Sequence, residues 1–467
     1  MSHETDYLIV GSGAVGMAFA DTLLDESDAH ITFVDRHAKP GGHWNDAYSF
    51  VALHQPSAYY GVNSTELGSR RLDTHGPNTG FFELASGLEV NAYFDKLMQQ
   101  RFLPSGRVSY LPMCDYQGEG RVVSLLSGAT THIQVRKKTV DTTYADISVP
   151  ATHTPKFAVG QGVRCIIPNA LPTLWMNAAR QPVPQQFCIL GAGKTAMDAA
   201  VWLLRHGARP DSIQWVVPRD SWLQNRLHTQ PGVEFFNESI GGEADKMAAF
   251  AESETIDALF LKLESLGQML RIDPRQMPTM FHYATISTGE IELLRSIERV
   301  IRMGRVQSIE CDALVLEKGR VAMFPDTLYV DCTASAVKAL APQPVFQHDR
   351  IVVQLLRMPL VTLSAAITAY VEAHSDDDAY KNQMCTPVPF PNNLAGYARA
   401  TLMSMMNQHQ WSQDKPLRKW MHGSRLDAFG KMVSELDKSD ADKQATLARL
   451  RANAGAATAH MARLMAA

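Results

Sequence analysis

Residues 187–200 read FCILGAGKTAMDAA, and residues 8–16 read LIVGSGAVG. Each is a short apolar run that breaks into a glycine turn and continues with apolar residues at helical spacing. The "GKT" of the first stretch suggests a triphosphate loop, G-x-x-x-x-G-K-[S/T]. The leading glycine of such a loop would fall on Cys188, inside the apolar run, so ATP is not the expected ligand. Read as G-x-G-x-x-A, the turn is Gly191 and Gly193, and Ala196 is small enough to let the helix approach the strand.

The N-terminal turn carries Gly11, Gly13 and Gly16 in G-x-G-x-x-G spacing, with Ala14 opening the helix. Its first glycine permits the tight turn, its second lets a pyrophosphate approach the backbone, and its third allows close helix–strand packing. Helix N-termini offer unpaired N–H groups and a partial positive charge to such an anion. A second apolar strand, AHITFVD (29–35), ends about twenty residues later on Asp35, placed to accept ribose hydroxyls. The same β-α-β unit recurs around residues 187–217, where the second strand ends WVVPRDSW. No acid stands directly at that strand end. Arg219 lies just beyond it and would grip a 2′-phosphate in bidentate fashion, with Arg226 assisting, which favours NADPH over NADH. An exposed Arg219–Asp220 ion pair with no ligand is the other reading.

The chain has 467 residues, 45% of them hydrophobic and 20% charged, with a formal net charge of −4. That balance is ordinary for a globular protein and gives no reason to expect nucleic acid or an anionic membrane as partner. Every apolar stretch is cut by charge or proline before about 18 to 20 residues, so no membrane span is expected. YLIV (7–10) runs directly into the glycine turn with no basic leader, and the expected location is the cytoplasm. The six cysteines, 114, 165, 188, 311, 332 and 385, form no C-x-x-C pattern for redox or zinc chemistry.

Beyond Asp35 the sequence continues DRHAKPGGHW, with Arg36, Gly41, Gly42, His43 and Trp44. This stretch, with GAGKTAMD, resembles the flavin-containing monooxygenases and related flavoproteins with two dinucleotide-binding domains. In that family an acid followed by G-G-x-W runs along FAD, and the second turn reads G-x-G-x-S-A-x-D. Thr195 stands for the serine, Asp198 matches, and Lys194 lies within the turn. The resemblance implies FAD at the first turn and NADPH at the second. ALHQPSAYYGVNS (52–64) resembles the family segment ending in Thr-Asn near the reactive flavin edge. Asn63 is the matching position and the catalytic candidate, while a turn asparagine beside Gly61 suits it equally. His54 and Gln55 share the segment and are expected to line the flavin pocket. Three features depart from the family: FAVGQGVRCIIP (157–168) lacks the histidine of F-x-G-x-x-x-H, and DTTY (141–144) and DCTAS (331–335) lack the glycines at the two domain crossings.

The resulting expectation is an α/β protein of two Rossmann-like domains with a helical C-terminal tail. The FAD domain spans 1–165 and resumes at 327–467, with the NAD(P) domain, 166–326, inserted. Residues 107–149 read as antiparallel strands, the proline-spaced 150–172 as a linker, and 241–303 as mainly helical. The tail, 429–466, either packs on its own FAD domain, the default, or makes a homodimer contact. The function expected is an NADPH-reduced monooxygenase oxygenating a small organic substrate with O₂ through a flavin C4a-(hydro)peroxide. An NAD(P)H-flavin oxidoreductase without oxygen insertion, or a flavin-binding protein that does not turn over, are the alternatives.

Overall fold

The structure is a computed structural model that describes residues 3–179, 182–324, 326–335, 337–338 and 340–466. Two parallel sheets carry the two glycine turns. In the first, His3–Val10 lies between Ile31–Val34 and Thr130–Asp141, parallel to both, with Tyr7 opposite Ile31 and Ile9 opposite Val140. Val108–Leu111 extends the sheet on one side, parallel to Ile31–Val34. Arg350–Val352 pairs in parallel with the end of Thr130–Asp141. Residues 31–34 are buried on both faces, with helices over Ile31 and Phe33 and an antiparallel meander over Val34, which is why they read as an unbroken apolar run.

The second sheet has the order Arg299–Ile301, Ile213–Val216, Phe187–Leu190, Leu328–Asp331, Cys165–Ile166, and all its pairs are parallel. Leu328–Asp331 sits beside Phe187–Leu190, with Val330 opposite Ile189. The chain therefore leaves the second sheet after Asp331, past the return expected at 327. Other expectations need correction as well. Within 107–149 only Cys114–Tyr116, Arg121–Ser124 and the start of Thr130–Asp141 form an antiparallel meander. The stretch 150–172 is not a bare linker, since Ala158–Val159 and Cys165–Ile166 each pair into a sheet. Their two-residue length leaves no periodicity to read. In 241–303 the helices Gly242–Glu252, Ile256–Ser265 and Thr288–Arg295 alternate with strands Met269–Leu270, Met280–Ile286 and Arg299–Ile301.

The C-terminal helix Ala441–Ala466 meets its default only in part, since it packs on the inserted unit as well as on its own domain. It packs on Gly242–Glu252 and Leu394–Gln413, where Ala457 and Met461 join Met247, Phe250 and Tyr397 in one buried cluster. Asn453 Nδ2 donates to Ala244 O (3.1 Å), and Arg449 pairs with Asp245. A different helix, Val361–His374, packs on the first-turn helix Ala14–Glu26.

That first-turn helix lies hard against its strand. A Cβ on Gly16 would stand 2.1 Å from Gly11 O, a backbone atom that cannot yield. Gly16→Ala is expected to destabilise the protein by about 3 kcal/mol or more, read by urea denaturation, or to prevent soluble expression. A variant as stable as the parent would contradict this packing.

Candidate functional site

At the first turn Gly11 adopts φ +97°, and a Cβ there would meet Thr142 Oγ1 at 2.8 Å. That hydroxyl donates to Val10 O (2.7 Å), so the threonine at the first crossing fastens the turn in the absence of a glycine. Gly13 is the N-cap of Ala14–Glu26, with no side-chain cap and no acid in the first turn, which leaves the leading N–H groups to an anion.

Asp35 is committed to the protein. Its Oδ2 accepts from Ser12 N (2.6 Å) and Ser12 Oγ (2.8 Å), and its Oδ1 from His37 N (2.8 Å) and His37 Nδ1 (2.9 Å). A carboxylate offers about four acceptor positions. All are taken, so a ribose hydroxyl would have to replace one of these donors. Burial alone would raise the pKa of Asp35, but the hydrogen bonds from His37 and Ser12 outweigh it and hold the carboxyl low. His37 is clasped on its other side by Asp46 (2.8 Å). The bond to Asp35 above all raises its pKa to about 9, against the cost of burial.

The residues after Asp35 fold back over the turn. Gly41 N donates to Ser12 O (2.9 Å), and a Cβ on Gly42 would meet Gly13 Cα at 3.0 Å. His43, pushed down to about 4 by burial, stacks on Trp44, whose Nε1 donates to Tyr60 OH (2.7 Å). Gly11, Gly13, Ala14, Gly16, Asp35, Gly42, His43 and Trp44 are thus brought together. Arg36 is not; it is exposed and pairs with Asp115 (2.6 Å).

Asn63 is held by a region that the sequence did not connect to it. Ser424 Oγ donates to Asn63 Oδ1 (2.8 Å). Arg425 donates to the carbonyls of Ala58 (2.6 Å), Tyr60 (2.8 Å) and Thr65 (2.7 Å), clamping the loop around Asn63. Next to it Ser64 N and Oγ donate to Asp21 of the first-turn helix. His54 lies in another direction, toward the second turn: its carbonyl accepts from Arg226 Nε (3.0 Å). Burial, then the charges of Lys194 and Arg226, drive its pKa down to about 3. Gln55 is partly buried and makes no hydrogen bond among the described residues.

At the second turn Gly191 has φ +115°, and a Cβ there would meet Cys332 O at 2.6 Å. The buried Trp215 donates its Nε1 to Gly191 O (2.7 Å) and fixes the turn to the next strand. Gly193 caps Lys194–Arg205 without a side-chain bond, and a Cβ on it would meet nothing within 4 Å. This turn is open where the first is covered.

Lys194, expected at a phosphate, points instead into a buried ionic cluster. Its Nζ pairs with Asp198 and with Glu290 (3.2 Å). Arg226, expected to assist at a 2′-phosphate, is fully buried and donates to Glu290 (2.5 Å), Asn78 Oδ1 (3.2 Å), Thr285 O (3.2 Å) and His54 O. Tyr48 OH, within hydrogen-bonding reach of Thr195, donates to Asp198 Oδ2 (2.8 Å). Burial lifts the pKa of Asp198 despite the pull of Lys194. It would lift Glu290 too, but Lys194 and Arg226 together hold that carboxyl far below the ordinary range. Arg219 is exposed and forms no ion pair among the described residues, because Asp220 pairs with Arg302 (2.9 Å). Between residues 50–84 of the first unit and the flank of the second-turn helix lies a cavity of about 540 Å³, with Lys194, Arg226 and Glu290 at one end.

Residues 9–84 match the NAD(P)-binding Rossmann-like domain family. Over 465 residues the chain is 41% identical to "Uncharacterized protein Rv2000" of Mycobacterium tuberculosis, covering 99% of this chain and 84% of that protein. "Uncharacterized protein Mb2023" of Mycobacterium bovis matches with the same identity and coverage. The chain belongs to the Rv2000 family. Among solved structures, the open crystal structure of cyclohexanone monooxygenase superposes with a TM-score of 0.51 at 13% identity, covering 88% of this chain and 98% of the other. That likeness is one of fold: this Rv2000-family chain has the architecture of the two-domain flavoprotein monooxygenases.

The clasp on Asp35 has a measurable signature. The pKa of His37 rises from 6.5 to about 9 on folding, so its stabilising effect is complete below about pH 6.5 and is lost as pH rises through about 9. With the imidazole partly exposed, the effect is on the order of 1 kcal/mol. The parent is expected to lose more melting temperature between about pH 7 and about pH 10 than His37→Ala does. Parallel losses would show that the clasp carries no such linkage.

Proposed function

We propose that the protein is an FAD- and NADPH-dependent monooxygenase acting on a small organic substrate. One observation carries the reading. Two strand–glycine turn–helix units stand on separate parallel sheets, each opening a helix whose N-terminus is capped by no side chain. When bound, the coenzymes would supply hydride transfer from NADPH to FAD and the activation of O₂ for insertion into the substrate.

The residues of the chain then have defined tasks. The N–H groups following Gly13 hold the FAD pyrophosphate, and those of Lys194 and Thr195 hold that of NADPH. Asp35 reaches the FAD ribose by exchanging a donor, and Arg219, free of any ion pair, takes the 2′-phosphate. Ser424 occupies the Oδ1 of Asn63 and leaves its Nδ2 as a donor for the flavin edge. Disulfide chemistry is disfavoured by the thiols themselves: burial raises Cys165 to about 11 and pushes Cys188 and Cys332 higher still. Among the described residues no helix is long and apolar enough to cross a membrane, in keeping with a small-molecule substrate met in water.

The purified protein is expected to be yellow, to bleach with NADPH faster than with NADH, and to place label from ¹⁸O₂ in its product. Peroxide without labelled product would instead identify an oxidoreductase that inserts no oxygen. Arg219→Ala is expected to weaken NADPH by about tenfold or more and NADH little; equal losses would misplace the 2′-phosphate. Gly193→Ala, at φ −81° and with open space around its new methyl, is expected to leave the melting temperature within about 1 °C. The same variant is expected to weaken NADPH by about tenfold or more, and unchanged affinity would free the second turn of its assigned role.

A further inference from the structure

The cavity of about 540 Å³ is lined by no residue of the first glycine turn and meets the second only at Lys194. The second-turn helix buries Ala196, Met197, Ala199, Ala200 and Leu203 within its own domain core. The cavity is lined from its other flank by Lys194, Asp198, Val201, Trp202 and Arg205, one stripe at helical spacing. Phe50, Leu53, Pro77 and Leu84 of the first unit form the opposite wall, with the Phe50 and Trp202 rings stacked at 5.3 Å.

The polar groups of this space differ at its two ends. At the inner end Lys194 and Arg226 face Asp198 and Glu290, two charges of each sign already paired with one another. At the mouth the Arg205 side chain makes no hydrogen bond or ion pair among the described residues, although the backbone at Gly76 packs so close that a Cβ there would stand 3.3 Å from the guanidinium. His75 and His206 each engage only Nδ1, with Thr74 Oγ1 (2.8 Å) and Trp202 O (2.7 Å), and leave Nε2 open. Asp73 accepts from Asn78 Nδ2 (2.6 Å) and has no cation within ion-pair reach among the described residues.

We propose that this cavity is a binding site for a small organic monocarboxylate, its apolar body between Leu84 and Trp202 and its carboxylate on Arg205. The volume lies within the range of sites that enclose small ligands, about 300 to 1,000 Å³. An unpaired guanidinium at the edge of a cavity with one apolar wall offers a planar fork that matches a carboxylate. A single negative charge fits better than a phosphate dianion, because Asp73, which has no ion pair among the described residues, also lines the wall. The site is independent of whether the glycine turns hold FAD and NADPH.

Calorimetric titration of the full-length protein, with whatever cofactor it retains, tests this with 3-phenylpropionate, its amide, 2-phenylethylamine and phenyl phosphate as probes. The carboxylate is expected to bind saturably at one site, with each of the other three about tenfold weaker or worse. Arg205→Ala should weaken the carboxylate about ten- to hundredfold, with Arg205→Lys in between. Ala52→Trp, which fills the cavity, should abolish binding while the melting curve stays cooperative. No saturation by the carboxylate, equal binding of any of the other three probes, or an unchanged affinity in Arg205→Ala would overturn the proposal. Saturating NADPH is expected to leave the carboxylate bound. Displacement would overturn the claim that the cavity is separate from the second turn.

Discussion

A single guanidinium holds the two halves of this molecule in register. Arg226 is almost wholly removed from water, and its donors are divided between Glu290 and Thr285 on one side and His54 O and Asn78 on the other. A buried charge is tolerated only when it is paired and hydrogen-bonded, so every group around it is constrained to stay. Glu290 in turn caps its own helix through Ser287 and meets Lys194 beside the second turn. Tyr48 carries the same network back to the first unit through Asp198. The relative placement of the two glycine turns is therefore set by polar bonds of fixed direction, to which the Phe50–Trp202 stack adds an apolar contact.

The two turns share a backbone design and differ in what covers them. At the first, the 41–46 loop rests on Gly13, and the carboxylate of Asp35 is spent on Ser12 of the turn and on His37. At the second, a Cβ on Gly193 would meet no atom of the described residues within 4 Å. A ligand at the first must compete with bonds the protein makes to itself, whereas at the second the backbone of Gly193 is open to approach. A coenzyme retained through purification and one exchanged at every turnover would make such different demands.

The parts legible in the sequence were those written in neighbouring residues. Gly11–Gly16, Gly191–Ala196, Asp35 and Trp44 lie within strand–turn–helix units whose geometry is local, and the structure assembles them as expected. Lys194, Arg226 and Arg36 were misplaced because a cation near a phosphate motif looks the same in sequence whether it faces outward or finds a buried carboxylate. Glu290 for Lys194, and Ser424 and Arg425 for the Asn63 loop, are partners separated from them by long stretches of chain, and no spacing rule points to them. The prolines of 150–172 suggested a linker, and two-residue strands such as Cys165–Ile166 are too short to announce themselves.

Strand Arg350–Val352 completes the first sheet, yet it is encoded after the entire second unit. During synthesis the ribosome delivers the inserted unit, with its neighbouring parallel strands, before the edge that finishes the first sheet has emerged. Until then the end of Thr130–Asp141 has a bare side. The first unit is thus begun first and completed only after the second, and a nascent chain halted between residues 141 and 350 would expose that unpaired edge to other chains.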